Sequence, residues 1–288
     1  MIPSPFAYHA PRSVGEALSL LSQLGDDAKL LAGGHSLLPM MKMRFAQPAN
    51  LIDLGKIPEL KGIREEGGTI RIGAMTTENE LIWSKLLQGK CPLLVEGARQ
   101  ISDPQVRYKG TLGGDISHGD PGNDHPALML ALGASFVLRS AKGERVVPAD
   151  GFFVGTYDTL MKPDEIMTEI RIPTPGPGTG YCYAKLKRKV GDFATAAAAV
   201  TLRMNGDAVA EVAIALTNVG PTPLKARAAE DALRGKPLTD TSIAAAADLA
   251  MSICDPAPDQ RGDAEYKTAM AGEMTQRALR TARSRTAK

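Results

Sequence analysis

A chain of 288 residues, 43% hydrophobic and 23% charged, has ample material for a buried core and suits two domains or one large one. Its formal net charge of +2 removes any global electrostatic case for nucleic acid, and no apolar run reaches the length of a membrane span. The opening residues 1–11 lack the basic-then-apolar pattern of a signal peptide, so a cytoplasmic protein is expected, tied to a membrane only through partners. Cys91, Cys182 and Cys254 stand far apart; three thiolates cannot supply the four an iron–sulfur cluster needs, and the odd number argues against a disulfide framework.

Ser13 to Glu16 reads as a capping box, after which Val14, Ala17, Leu18, Leu21 and Leu24 share one helical face and Gly25 ends the run. A strand over 28–31 delivers the first glycine-rich segment, Ala32-Gly33-Gly34-His35-Ser36, and a strand over 50–54 completes a small βαβ-like unit. A strand is expected over 69–74, a second capping box at Thr77 to Glu80, and a helix over 92–101 with proline in its first turn. The second glycine-rich segment, Thr111-Leu112-Gly113-Gly114-Asp115, opens a polar stretch that runs to Asp124, and Pro126 starts an apolar helix ending near Gly133. A hairpin over 135–148 and a strand over 165–172 lead to Pro173-Thr174-Pro175-Gly176-Pro177-Gly178-Thr179-Gly180, which cannot hold regular structure and reads as a linker. Beyond it, 181–188 is expected as a strand. Ala196 to Met204 is alanine-rich, which favours a helix, yet Asn205-Gly206 is a strong hairpin turn, so strands are expected on both sides. From Leu224 to the end three helical pieces are expected, the last carrying Arg277, Arg280, Arg283 and Arg285 on a solvated or partner-facing side.

The two glycine-rich segments are candidate phosphate cradles, because consecutive N–H groups in such a turn form a concave anion site and glycine lets a ligand approach closely. Each alone is as consistent with a plain tight turn. Ser36 and Thr111 add hydroxyl donors, and His35 sits beside the first segment either toward a ligand or open to water. His118, Asp120, Asp124 and His125 fit no zinc or calcium spacing, so no metal is expected. The G-x-G-x-x-G fingerprint is missing, as are the G-x-S-x-G, H-E-x-x-H and P-loop motifs.

Taken together, the two glycine segments and Asp124 resemble the FAD-binding subunits of molybdenum hydroxylases. The opening Met1-Ile2-Pro3 with Tyr8-His9, the run 32–42, Gly119 to Asp124, and Lys185-Leu186-Lys187-Arg188-Lys189 are most similar to the CO-oxidising branch. The resemblance spans essentially the whole chain. It implies an α+β fold: a two-subdomain FAD-binding domain of the vanillyl-alcohol-oxidase (PCMH) type at 1–177, divided near residue 55, then a small domain of antiparallel sheet and helices at 178–288. It implies cofactor contact by Ala32, Gly33, Gly34, His35, Ser36, Thr111, Leu112, Gly113, Gly114, Asp115, His118, Asp124, Lys185 and Phe193. Asp124 would meet a ribose or ribityl hydroxyl, or else cap the following helix. Lys185 would lie near the flavin ring, or else, with Lys187 and Lys189, on one face of a solvated edge strand. Phe193 would cover the ring, or else be a plain core residue. At position 115 relatives often carry Asn; a carboxylate there is repelled by a pyrophosphate and cannot donate unless protonated, so Asp115 would contribute only its backbone N–H or accept from a ribose hydroxyl.

No catalytic acid, base or nucleophile is implied on this chain. The resemblance places [2Fe–2S] clusters on a small partner and a molybdopterin cofactor with Mo and Cu on a large one, in a dimer of heterotrimers, with electrons passing from FAD to a quinone. The other readings are a purine, N-heterocycle or aromatic acyl-CoA hydroxylase subunit, a stand-alone flavin oxidase, and a binding module with degenerate loops.

Overall fold

Ser13 accepts from the Glu16 amide at 3.1 Å and starts a helix at Val14, while the Glu16 carboxylate turns to the Arg12 N–H at 2.8 Å, so only half of the expected box forms there. The computed structural model describes residues 2–286; Met1 of the opening run lies outside them. The first part runs β1 (Ala7–His9), α1 (Val14–Leu24), β2 (Ala28–Leu31), α2 (Leu37–Lys42) and β3 (Asn50–Asp53), and its parallel sheet has the order β1-β3-β2.

The chain continues through β4 (Ile63–Glu66), β5 (Thr69–Gly73), α3 (Glu78–Trp83), α4 (Lys85–Lys90), α5 (Pro92–Gln100), α6 (Pro104–Lys109), α7 (Leu112–His118) and α8 (Asp124–Ala131). Thr77 and Glu80 form the full reciprocal box before α3. Then come β6 (Ser135–Ser140), β7 (Gly143–Pro148), β8 (Phe153–Gly155), β9 (Asp158–Thr159) and β10 (Ile166–Pro173). An antiparallel five-stranded sheet of order β4-β5-β10-β6-β7 packs one face on α5, α7 and α8 around Phe136, Phe152 and the leucines of those helices. Every residue of α8 is buried, because it is enclosed between this layer and the sheet that follows.

Residues 174–179 carry no regular structure. After them β11 (Gly180–Leu186), β12 (Ala196–Asn205), β13 (Ala208–Thr217) and β14 (Leu224–Lys225) form a second antiparallel sheet in sequence order, followed by α9 (Arg227–Leu233), α10 (Asp240–Met251) and α11 (Ala264–Thr286). Asn205-Gly206 makes the β12–β13 turn. Ala196 to Ala199 stay extended against their helix preference because β12 is covered on both faces, by α8 and by α11, where small side chains let helices approach closely.

Three expectations differ from the fold. The helical stretch expected from Leu224 begins only at Arg227, because Leu224 and Lys225 pair as β14 with Leu216 and Ala215 of β13. The strand expected over 181–188 stops at Leu186, so alternation cannot align Lys187 and Lys189 with Lys185. The arginines of α11 are not one solvated face: Arg277 pairs with Glu273 and Arg280 with Asp240, but Arg285 donates to Glu96 and to the Tyr181 carbonyl and stacks 4.6 Å over the Tyr181 ring, fastening α11 to α5 and β11.

Candidate functional site

A cleft of about 560 Å³ opens where the segment after β2, the start of α7, the N-terminal end of α8, the end of β11 and the 191–193 loop converge. Its volume lies within the roughly 300–1,000 Å³ of cofactor and ligand clefts. Of the residues expected to bind, Ala32, Gly33, Gly34, His35, Ser36, Thr111, Gly113, Gly114, Asp115, His118, Asp124, Lys185 and Phe193 all line it. Leu112 does not; its side chain turns inward and is fully buried in the main core.

The two glycine segments differ physically. Gly34 has φ of +79°, the left-handed region that glycine reaches without strain, and it bends the chain from β2 into α2. Among the described residues, the amide groups of Gly33, Gly34, His35 and Ser36 donate to no protein acceptor, so this segment keeps a row of donors for a ligand. The second segment is not a loop. Thr111 caps α7, and the amides of Leu112, Gly113 and Gly114 are spent on Thr76 O, Ala74 O and Thr111 Oγ1 at 3.0, 2.9 and 3.2 Å. Its glycines serve close packing: a Cβ on Gly113 would lie 2.5 Å from the Ala74 Cβ, and one on Gly114 would lie 2.8 Å from Thr111 Oγ1 and 3.1 Å from the Ala32 Cβ. Gly33 is likewise pressed against the backbone of Lys109 and Gly110. The missing side chains at Gly33 and Gly114 therefore make room for protein; what the second segment offers the cleft is the Asp115 carboxyl and the Thr111 hydroxyl, which accepts from Gly114 and keeps its own proton to donate, while the Asp115 amide is spent on Thr111 O at 3.0 Å.

The inner wall carries charge. Lys185, with its side chain 1% exposed, donates to Asp124 Oδ2 at 2.6 Å and to the Gln100 carbonyl at 3.4 Å. Asp124 also accepts from the Tyr183 hydroxyl at 2.5 Å. The solvated-edge alternative for Lys185 is thus wrong, because α5 and α11 cover that edge of the sheet. Nor is Asp124 a cap: Asn123 occupies the N-cap position, and Asp124 is the first helical residue. Burial, reinforced by the Asp124 carboxylate, pushes the Tyr183 phenol well up. Burial and the neighbouring Lys185 hold the Lys187 ammonium below its ordinary value.

Behind this pair lies a second one that the sequence left unassigned. His125 Nε2 and Glu78 Oε2 meet at 2.7 Å, with side chains 0% and 2% exposed. Burial alone would depress the imidazole, but Glu78, with Asp115 and Asp124 beyond it, outweighs burial and raises it to about 9. Asp115 is half-buried, but its Oδ1 is sealed and has no partner among the described residues. Burial first, then Glu78, Asp124 and Asp120 against the opposing His125, raises this carboxyl to about 8.

Phe193 is 46% exposed, so the core alternative for it is wrong; its ring is backed by the Arg261 guanidinium at 5.5 Å, which also holds Asp192. His118 packs its ring 5.0 Å from that of Tyr157, and burial keeps its imidazole below the ordinary value. Tyr157 was not anticipated. It has φ of +60°, a strained conformation for a bulky residue, and Ser102, also on the cleft wall, has φ of +40°. No local sequence signal announces either; the β8–β9 turn, tied to Gly119 by the Tyr157 amide, imposes the first. His118 and His125 turn to different neighbours, and among the described residues no group of three or more His, Cys, Asp or Glu is placed to hold a metal ion.

Comparison with known proteins gives this cleft its context. Residues 4–175 match the model of the FAD binding domain in molybdopterin dehydrogenase, and residues 181–282 that of the CO dehydrogenase flavoprotein C-terminal domain. The carbon monoxide dehydrogenase medium chain of Hydrogenophaga pseudoflava is 61% identical over 287 residues, covering 100% of both chains. The caffeine dehydrogenase subunit beta of Pseudomonas sp. (strain CBB1) is 35% identical over 99% of this chain and 97% of its own. A solved structure of the Hydrogenophaga pseudoflava carbon monoxide dehydrogenase, in a form lacking the Mo-pyranopterin moiety, superposes with a TM-score of 0.98 at 64% identity, covering 99% of each chain. The chain therefore belongs to the FAD-binding flavoprotein subunits of the molybdopterin dehydrogenases, in the company of the carbon monoxide dehydrogenase medium chains.

Proposed function

We propose that this chain is the electron-transferring flavin subunit of a CO-oxidising molybdenum hydroxylase. One observation carries the reading: a cleft walled by unspent backbone donors, hydroxyls and a buried lysine lies in a chain 61% identical, along its whole length, to a carbon monoxide dehydrogenase medium chain. Identity to the caffeine-oxidising relative is far lower, at 35%.

The residues present fit FAD. The amides of Gly33 to Ser36 and the hydroxyls of Ser36 and Thr111 are of the kind that bind a pyrophosphate. Asp115, His118, Asp124, Lys185 and Phe193 supply the acid, aromatic and cationic groups for the rest of the cofactor. Bound FAD supplies a two-electron store between [2Fe–2S] clusters on a small partner and a quinone. The side chains of this subunit orient and shield. Half-exposed Phe193, braced by Arg261, limits water at the cleft mouth, and the Lys185–Asp124 pair fixes the charge of the inner wall. Oxidation of CO belongs to the molybdenum–copper centre of a large partner. The assembly is a dimer of such heterotrimers in the cytoplasm, with residues 1–177, divided near 55, and 178–288 as the two folding units.

The test is division of labour. The purified chain mixed with FAD should reduce no dye with CO. The complex with the iron–sulfur and molybdenum partners should bleach its flavin when CO is added. CO oxidation by the chain alone would overturn the assignment, and bleaching by a purine but not by CO would move the chain to another branch of the family.

A further inference from the structure

The inner wall of the cleft gathers three carboxyl groups and two cations. Glu78 is matched by His125, and Asp124 by Lys185, each pair within hydrogen-bond distance and nearly sealed from water. Asp115 is the third carboxyl, and among the described residues no cation is paired with it. It lies on α7 against α8, which presents His125 and Asp124. Glu78 acts on it from α3, Asp120 from the loop after α7 and Tyr183 from β11, while Lys185 of that strand is bonded to Asp124. Of the strands beside α7, β10 brings Met167 to Ser117, and β9, whose residues are Asp158 and Thr159, meets Gly119 just beyond the helix. Ionised, Asp115 would add a fourth negative charge to those of Glu78, Asp124 and Asp120, with its Oδ1 buried and unbonded among the described residues, which is unfavourable unless compensated. A proton on the carboxyl removes that charge and converts an acceptor-only group into a donor.

We propose that Asp115 stands in the cleft wall as a neutral carboxylic acid, framed by the Glu78–His125 and Asp124–Lys185 pairs, and offers its O–H as a hydrogen-bond donor to FAD. The donation rests on the FAD reading; the proton does not. The shifted titration of Asp115, to about 8, agrees in direction with the geometry. Donation by the acid then makes cofactor binding sensitive to alkali, because above that pH the competent form of the wall falls about tenfold per pH unit.

Two measurements test this. The infrared carbonyl-stretch difference between the FAD-free full chain and its Asp115→Asn variant, at neutral pH, should contain a protonated-carboxyl band that shifts in D2O and fades as pH passes about 8. In flavin-depleted complex, FAD affinity should weaken about tenfold per pH unit above that point. Asp115→Asn, an uncharged donor of the same shape, should bind FAD with that step removed. A step centred near 9, from His125, belongs to the parent, and it should move to lower pH in Asp115→Asn, because Asp115 is one of the carboxyls that raise His125. Absence of the band, or an Asp115→Asn profile identical to that of the parent, would overturn the proposal. A complex that bound FAD at no pH would overturn donation together with the FAD reading, while the infrared band would still decide whether the proton is there.

Discussion

Replacing Lys185 by Met tests the inner wall most sharply. The substitution keeps an unbranched chain of similar length but removes the ammonium from a pair that is 2.6 Å apart, with side chains 1% and 6% exposed. Asp124 is then left as a buried carboxylate with the Tyr183 hydroxyl as its remaining side-chain donor. Breaking a buried pair from one side costs about 3–5 kcal/mol. The retained phenol bond argues for the lower part of that range. In a chain of this size the loss corresponds to a fall in Tm of roughly 6–20 °C. Urea unfolding of Lys185→Met, of Asp124→Leu and of the double variant measures it. The double variant should recover most of the loss, because no lone charge remains buried. A loss below about 1 kcal/mol for Lys185→Met, the value of an exposed pair, would refute the reasoning. So would strictly additive single and double variants.

Gly33→Ala should destabilise by about 1–3 kcal/mol in denaturant unfolding, since its Cβ would fall 2.3 Å from the Lys109 carbonyl oxygen and 2.8 Å from the Gly110 Cα, and backbone must part to admit it. Gly89→Ala is the contrasting control: it sits in α4 with nothing within 4 Å of a new Cβ and should stabilise by about 0.5–1 kcal/mol. The raised folded-state titration of His125 gives a pH signature. Between the ordinary 6.5 and about 9 the folded chain holds a proton that the unfolded chain has released, so the His125 contribution is full below 6.5 and lost as pH rises toward 9. The His125 part of the slope is up to about 1.4 kcal/mol per pH unit, and His125→Gln should remove it between 8 and 9, beyond the part of the same sign that Asp115 contributes up to about 8; an unchanged slope between 8 and 9 would reject the Glu78–His125 ion pair.

What could be read in advance follows from the range over which each signal acts. Thr77 with Glu80 and Asn205 with Gly206 act within a few residues, and both gave the expected cap and turn. The composition at 173–180 was legible in its middle only: 174–179 carry no regular structure, while Pro173 ends β10 and Gly180 opens β11. Gly113-Gly114 reads locally as a turn, because glycine is a poor helix former; in the fold, α7 needs both to lie against Ala74 and Ala32. The alanines of β12 pointed toward a helix for the same local reason, and a sheet covered on both faces overrode it. Lys185 and Asp124 are 61 residues apart, and Glu78 and His125 are 47 apart, so no spacing rule joins either pair. Tyr157 owes its backbone conformation to a tight turn held by Gly119, a contact that local pattern cannot express.

FAD held on the unspent amides around Gly34 is the reading on which the proposed function rests. The most direct measurement is the FAD released on acid denaturation from the assembled complex, per copy of this chain, with the parent sequence and with Gly34→Val. Gly34 has φ of +79°, and a Cβ there would lie 2.9 Å from Leu38 Cδ1, so valine must distort the turn that presents those amides. The parent complex should release a full complement of FAD, and the variant, assembled to the same size, should be strongly depleted. A full complement bound with unchanged affinity in the variant would contradict that reading.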